Sequence, residues 1–98
     1  MTLTRKQEKF LRRLAHNRKP VIWLGQHGLT DNVLAEIDAA LDYHELIKIK
    51  LRVGGRDARD NMIDDICTVT GSEEVQNIGN IVTIYRQNKR KSGINLPR

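Results

Sequence analysis

The sequence predicts an α/β fold in which three helices pack on a mixed four-stranded sheet, in the order helix-strand-helix-strand-helix-strand-strand. Three observations indicate this class. Three segments carry apolar residues at helical spacing, two short apolar segments lie between them, and a Gly-Asn pair separates two final β-rich runs. Two strand–helix–strand units with right-handed crossovers would place the second and third helices on the same side of the sheet.

The first helix is predicted over residues 5–16. Thr4 followed by Gln7 is a capping-box pattern, and apolar residues then recur at helical spacing: Phe10, Leu11, Leu14 and Ala15. The opposite face of this helix is basic and carries Arg5, Lys6, Lys9, Arg12 and Arg13. Arg18 and Lys19 follow the helix, and Pro20 requires an extended approach to the next element.

Residues 21–24 form an apolar run without alternation, which predicts a strand buried on both faces. Trp23 lies in this run and is expected in the core, although an exposed tryptophan could stack on an RNA base. A glycine loop follows, Gly25-Gln26-His27-Gly28. Because glycine has no Cβ, such a G-x-x-G turn can approach a nucleic-acid backbone closely, but ordinary tight turns also carry two glycines.

Thr30 is the predicted N-cap of the second helix, whose first N–H groups favour phosphate. The buried stripe of this helix should be Val33, Leu34, Ile37, Ala40 and Leu41, with residues 42–45 as the connection to the next strand. Residues 46–51 then alternate, so that the basic residues Lys48, Lys50 and Arg52 share one side of a strand and Ile47, Ile49 and Leu51 share the other.

A third helix is predicted from about Arg56 to Thr70, with Gly71 as the residue that ends it. Its inward residues should be Ala58, Met62, Ile63, Ile66 and Val69. Two strands follow, over residues 75–78 and 81–86, and the Gly79-Asn80 pair between them suits a type II′ turn. Tyr85, near the end of the last strand, is a second aromatic side chain that could stack on RNA. We expect one domain over residues 1–86 and a flexible basic tail over residues 87–98.

The charge of +5 is unevenly distributed along the 98 residues. Residues 1–19 hold seven Lys or Arg and one acid, residues 20–85 hold five and eleven, and residues 86–98 hold five and none. If the basic ends fold to one side, the molecule has a cationic face of the kind that polyanion-binding proteins use. Solvated ends that only maintain solubility are the alternative.

Other chemistry has little support in the sequence. The single cysteine, Cys67, excludes an intramolecular disulfide and fits a reducing, cytoplasmic setting as a small buried hydrophobe. Three histidines (His16, His27 and His44) show no metal-binding spacing, and the acidic pairs at 64–65 and 73–74 are typical of solvated surface. No nucleotide-binding motif or membrane-length apolar run is present. We therefore expect no enzyme activity, cofactor, metal, small-molecule substrate or membrane attachment.

Four segments together resemble the CRM domain, an RNA-binding module, and in particular its stand-alone bacterial YhbY-like form. These segments are Leu3-Thr4 before the basic helix, the run from Val21 to Thr30, the run from Glu45 to Ile49, and the run from Gly79 to Arg86. The resemblance covers nearly the whole chain. It implies a fold similar to the C-terminal domain of a bacterial translation initiation factor, with an extra N-terminal helix, and association with precursors of the large ribosomal subunit.

The sequence and the resemblance together predict a non-catalytic monomer that binds structured ribosomal RNA during large-subunit assembly. The expected RNA-binding residues are Gly25, Gln26, His27, Gly28, Thr30, Arg5, Lys6, Lys9, Arg12, Arg13, Arg18, Lys19, Lys48 and Lys50. Because Gln26 and His27 carry no full charge at neutral pH, phosphate contacts at the loop would depend on backbone N–H groups and on neighbouring cations. The alternative is a protein-interaction module that docks on a ribosomal protein or assembly factor through the acidic third helix.

Overall fold

The computed structural model describes residues 2–25, 27–90 and 93–98. In these ranges the helices and strands follow the predicted order. The elements are α1 (Arg5–Ala15), β1 (Ile22–Leu24), α2 (Asp31–His44), β2 (Leu46–Leu51), α3 (Arg56–Thr70), β3 (Glu73–Ile78) and β4 (Ile81–Tyr85). None of the helices in the described ranges has the length and apolar character needed to cross a membrane.

The four strands form one mixed sheet in the order β1-β2-β4-β3. β1 and β2 are parallel, whereas β4 runs antiparallel to both of its neighbours. One row across the sheet places Trp23 beside Lys50, Lys50 beside Ile81, and Ile81 beside Ile78. Side chains of one such row project from the same face, because Cβ directions alternate along every strand.

One face of the sheet, which we call the covered face, lies under α2 and α3. Ile37 and Leu41 of α2 and Ile63 and Ile66 of α3 pack on this face. The seven strand residues of its core are Ile22, Leu24, Ile47, Ile49, Leu51, Val82 and Ile84. The prediction that α2 and α3 share one side of the sheet is therefore confirmed. All of these residues are at most 5% exposed, as a core made mainly of Ile, Leu and Val requires.

The opposite face is only partly covered. Leu11 and Ala15 of α1 pack with Leu46, Val75 and Tyr85, at the end of the sheet where β2 begins and β4 ends. We call the rest of this face the open half; its residues are Trp23, Lys48, Lys50, Gln76, Ile78 and Ile81. A helix of 11 residues is about 16 Å long and cannot cover all four strands along their length.

Local sequence signals set several element boundaries as predicted, although β3 begins at Glu73 rather than at residue 75. Thr4 and Gln7 form the complete capping box of α1, and the Thr30 hydroxyl accepts a hydrogen bond from the Val33 N–H at the start of α2. Gly71 ends α3 in the left-handed conformation at φ 69°. Gly79 has a φ of 60° and Asn80 has no positive φ, which fits the predicted type II′ turn rather than type I′.

Some predictions of burial and boundaries are wrong. β1 is not buried on both faces, because it lies at the sheet edge, beyond the cover of α1, and Trp23 is 58% exposed. Val69 is 64% exposed and Ala58 is also exposed, because α3 contacts the sheet through a stripe narrower than the apolar pattern. Residues 42–44 belong to α2 rather than to a connection, and Glu45 ends this helix.

The last part of the chain packs against the domain. Arg86 forms ion pairs with Asp38 and Asp42 of α2, at 2.6 and 2.8 Å. The buried carboxylate of Glu45 accepts backbone hydrogen bonds from Asn88, Gly93 and Ile94. Ile94 and Leu96 pack on the buried cluster under α1, which we call the α1 cluster and which contains Leu3, Leu11, Ala15, Leu46, Val75 and Tyr85. These contacts hold a segment for which the sequence analysis expects flexibility, and its mobility in solution stays a prediction.

Candidate nucleic-acid interface

A basic groove lies between α1 and the open half of the sheet. Its lining combines cations of α1 with residues of three strands: Lys9, Arg12, Arg13, His16, Asn17, Lys48, Gln76, Ile78, Ile81 and Thr83. None of the described residues that line it is acidic. Because no carboxylate competes for these cations, the groove can accept a polyanion along its length.

The basic side of the groove follows directly from the amphipathic pattern of α1. Leu11 and Ala15 face the sheet and are buried, which turns Lys9, Arg12 and Arg13 toward the groove and leaves them exposed. The last two of these cations lie in the final turn of α1, where positive charge complements the helix dipole. The same residues therefore stabilise the helix and supply the charge of the groove.

Arg5 and Lys6 lie at the beginning of α1 and do not line the groove. Lys6 donates a hydrogen bond through Nζ to the backbone oxygen of Arg98 at 3.3 Å, and Arg5 is exposed. These two cations are thus on the same helix as the groove but at the end nearer the C-terminal segment. The structure separates the predicted basic residues of α1 into a groove group and a terminal group.

The two lysines of β2 continue the cationic surface onto the sheet. Lys48 lines the groove, and Lys50 lies one row further along the strand, beside Trp23. Both lysines are half-buried, so their aliphatic stems pack on the sheet and their ammonium groups extend outward. Tyr85, the other aromatic considered for stacking, is buried against α1 and is excluded from base contact.

The glycine loop begins where β1 ends. The Gly28 N–H donates to the Gly25 oxygen at 3.1 Å, which closes a tight turn, and His27 is exposed. Gln26 lies outside the described residues. Gly28 has a φ of 68°, a conformation that other residues adopt only with strain. Gly25 differs, because its φ is ordinary and an added Cβ would meet no atom within 4 Å.

The two remaining predicted cations, Arg18 and Lys19, and the tail residue Arg86 have different environments. The Arg18 guanidinium donates to the Leu46 backbone oxygen at 2.7 Å, so this residue joins the end of α1 to the start of β2. Lys19 is exposed and is not among the described residues that line the groove. Arg86 is committed to the acids of α2. The charge count of the sequence therefore overstates the number of cations available to a ligand.

Three acidic residues, Asp60, Asp64 and Glu74, lie close together on the α3 side of the sheet. Burial, together with the nearby carboxylates of Asp64 and Asp60, raises the pKa of the Glu74 carboxyl above its ordinary value. Burial also raises the pKa of the Cys67 thiol, which packs beside the covered core as predicted and is a poor nucleophile in this state. In the described ranges, no group of three or more His, Cys, Asp or Glu residues could hold a metal ion.

Three features of this region were missed by the sequence analysis. The exposure of Trp23 was missed because three residues are too short a strand to show alternation. The second sheet face at Ile81 and Thr83 was also missed. The alternation of these two residues with Val82 and Ile84 is a sequence signal that could have revealed it. The anchoring role of Glu45 has no local signal, because its partners lie more than 40 residues later in the chain.

Comparison with known sequences and structures shows which family this chain resembles. The sequence model described as the CRS1 / YhbY (CRM) domain matches residues 3–86. An RNA-binding protein of Haemophilus influenzae is 45% identical over 97 residues, which are 99% of this chain and 97% of that protein. A protein of Pseudomonas aeruginosa named "Probable RNA-binding protein" is 42% identical over 90 residues, covering 92% of this chain and 86% of the relative.

One solved structure is similar over almost the entire chain. It is the solution structure of a Staphylococcus aureus protein named as a candidate RNA-binding protein. The two share 38% sequence identity and a TM-score of 0.83, with 98% of this chain and 100% of the other covered. The similarity confirms the mixed four-stranded sheet with three helices.

Proposed function

The chain belongs to the CRS1 / YhbY (CRM) domain family, and from this premise we propose that it is an RNA-binding protein without catalytic activity. Relatives that cover nearly its full length are named as RNA-binding proteins. The basic groove is the observation that supports RNA binding by particular residues. Cations of α1 and β2 converge there, and none of the described lining residues is acidic.

Phosphates of the RNA would be bound along this groove. Lys9, Arg12, Arg13 and Lys48 line it, and Lys50 extends it toward the end of β1. The guanidinium groups suit phosphate oxygens because they present several N–H donors in one plane. Such contacts fix the position of a nucleic acid but carry no sequence information. We therefore expect affinity to depend strongly on salt.

The glycine loop would form the second part of the interface. Among the described residues, no contact requires residue 25 to be a glycine, since its φ is ordinary and a Cβ there has space. Close approach of an RNA backbone is a physical reason for glycine at this position. Thr30 would act through its cap, which fixes the first turn of α2 and the direction of its N–H groups.

The proposed target is structured ribosomal RNA in precursors of the large subunit, in the cytoplasm, bound by a monomer. This part of the proposal is supported by the family resemblance and by the poverty of aromatic side chains, which favours recognition of backbone and shape over extensive base contacts. Arg5, Lys6, Arg18 and Lys19 are not among the groove-lining residues, and we assign them a secondary, longer-range contribution to the electrostatic field.

A salt series with two matched double variants tests the groove. Arg12→Ala with Arg13→Ala removes two groove cations, whereas Lys89→Ala with Arg90→Ala removes the same charge from the exposed segment after β4. With a large-subunit ribosomal RNA fragment as ligand, the first variant should reduce the slope of log affinity against log salt by about 1.5 to 2 units. The second variant should leave the slope unchanged.

Equal effects of the two double variants would show that only net charge matters, and would overturn the groove as the binding site. Absence of RNA binding by the unaltered protein at low salt would overturn the function itself. Circular dichroism of each variant confirms that the fold is retained.

A protein-docking role is the second candidate, and the acidic surface around Asp60, Asp64 and Glu74 is the observation that favours it. This role predicts that association with large-subunit particles survives ribonuclease treatment and high salt. The RNA-binding proposal predicts that both treatments release the protein. The two candidates therefore give opposite results in one experiment.

A further inference from the structure

Trp23 has an unusual position for the only tryptophan of a small domain. Its strand neighbours Ile22 and Leu24 lie in the covered core, yet Trp23 itself is 58% exposed. Because side chains alternate along a strand, the indole must project from the opposite face of the sheet. Burying the apolar surface of an indole would stabilise the fold. The exposure of Trp23 on a strand therefore calls for a physical reason.

The neighbours of Trp23 on this face combine apolar surface with positive charge. Lys50 is its direct partner on β2, and Ile81 and Ile78 continue the same row across β4 and β3. Ile78 is 64% exposed, so the row is an apolar strip interrupted by one cation. Adjacent strands are about 4.8 Å apart, which places the Lys50 stem directly beside the indole.

Trp23 also lies between the two parts of the proposed interface. The basic groove is one row away, at Lys48, and the glycine loop begins two residues later, at Gly25. An RNA strand that follows the groove cations and continues to the loop would pass over the indole. Cations border this path on the groove side and at Lys50, and the acidic residues near Glu74 belong to the α3 side of the sheet.

We propose that Trp23 is a stacking site for one unpaired nucleobase, with Lys50 contacting the adjacent phosphate. This inference rests on the proposed RNA-binding function and specifies the kind of RNA bound. A base in a continuous duplex is stacked on both sides and cannot reach the indole, whereas a bulged or looped base can. The protein should therefore prefer RNA that presents an extruded nucleotide beside a helix.

Charge complementarity selects RNA over an apolar protein partner for this surface. The apolar strip is narrow, one residue wide on each strand, and cations border it on the groove side. A flat aromatic ring flanked by ammonium and guanidinium groups matches a nucleotide, whose base is apolar on its faces and whose phosphate is anionic. The occupant we propose is a nucleotide for this reason.

Two RNA hairpins of equal charge provide the test. One hairpin carries a single bulged adenosine, and the other has an abasic ribose at the same position. The unaltered protein should bind the bulged adenosine about 5- to 150-fold more tightly than the abasic hairpin, the range expected for one base stacked on an aromatic ring. Its tryptophan fluorescence should be quenched by the first hairpin and much less by the second, and the signal has a single source because the chain has one tryptophan.

Three variants give the controls. Trp23→Ala should abolish the preference for adenosine, Trp23→Phe should keep part of it, and Tyr43→Ala should keep it fully because Tyr43 is an 84% exposed aromatic on the distant end of α2. Both altered side chains are exposed, so the fold should survive in all three variants, and a denaturant titration verifies this. Binding of the labelled hairpins is measured independently by anisotropy.

The outcomes separate the stacking site from RNA binding as such. Equal affinity of the unaltered protein for both hairpins, or a preference that persists in Trp23→Ala, overturns the stacking site while the RNA-binding function stands. Binding of neither hairpin by the unaltered protein, at low salt, counts against both proposals. Loss of the preference in Tyr43→Ala as well would also overturn the assignment to Trp23.

Discussion

The two faces of the sheet differ in how their side chains are used. The covered face, under α2 and α3, is closed by residues that are at most 5% exposed. The face under α1 is closed at one end only, and its open half presents an indole, two lysines and the adjacent basic groove. The same backbone therefore supplies stability from one side and a candidate ligand surface from the other. The alternation of side chains along each strand makes this division possible without compromise between the two roles.

Neighbouring residues on β2 give the largest test of this comparison. Ile49→Ala should lower the free energy of unfolding by about 3 kcal/mol, because Ile49 is fully buried in the covered core. Lys48→Ala, one residue away on the opposite face, should change it by no more than about 0.5 kcal/mol. Urea denaturation measures both values. Similar losses would contradict the division between the two faces.

The closed end of the α1 face should depend on Glu45. Glu45→Gln removes the negative charge and one acceptor oxygen from a carboxylate that receives three backbone N–H groups. We expect a loss of about 1 to 2 kcal/mol and faster amide hydrogen exchange at Ile94. Glu36→Gln, an exposed position on the same helix, is the control and should have little effect on either quantity. Unchanged exchange at Ile94 in Glu45→Gln would show that the carboxylate does not hold this segment.

The two glycines of the loop should separate stability from binding. Gly28→Ala requires a left-handed conformation of alanine and should cost about 1 kcal/mol of stability. Gly25→Ala meets no steric obstacle and should leave stability unchanged, yet it should weaken RNA binding several-fold by holding the ligand backbone away. Thermal unfolding and RNA titration of both variants check this. A folded Gly25→Ala protein with normal affinity would remove the loop from the interface.

The smallest expected effect concerns the acidic side. The raised pKa of Glu74 means that the folded protein holds this proton more tightly than the unfolded chain does. The contribution of Glu74 to the free energy of unfolding is therefore largest below the ordinary pKa of the carboxyl, and it is lost as pH rises through the raised pKa. Glu74→Gln should therefore stabilise the protein at neutral pH by about 0.5 kcal/mol or less, since the group is largely exposed and screened. Melting temperatures measured from pH 4 to pH 8 should converge at the acidic end, and a constant difference would contradict the proposed cause.

The covered face was predictable from sequence to a large extent. The alternation of Ile47, Ile49 and Leu51 with lysines identified β2 and its inward side, and the caps at Thr4 and Thr30 fixed two helix starts. These signals are local, because each one depends on residues within a single turn or strand. Local chemistry was therefore enough to place the elements and the main core.

The open half was predicted less well, because the exposure of its residues depends on how far α1 extends over the sheet. Whether Trp23 is buried is decided by the length and position of α1, which no pattern within residues 21–24 reports. The predicted cations of α1 were correctly placed on one helix face, but only the structure shows that three of them share a groove with Lys48. Exposure at a sheet edge is a property of the whole arrangement rather than of the strand itself.

The bonds to Glu45 limit when this part of the fold can form during synthesis of the chain. The end of α2 and the start of β2 emerge from the ribosome early, but the N–H groups that surround Glu45 belong to residues 88, 93 and 94. The α1 cluster likewise acquires Ile94 and Leu96 only after every helix and strand has been made. A nascent chain can therefore assemble the covered core while the site of Glu45 is still unfilled. Closure of the α1 side therefore requires residues that follow β4, and it cannot be completed before they have been synthesised.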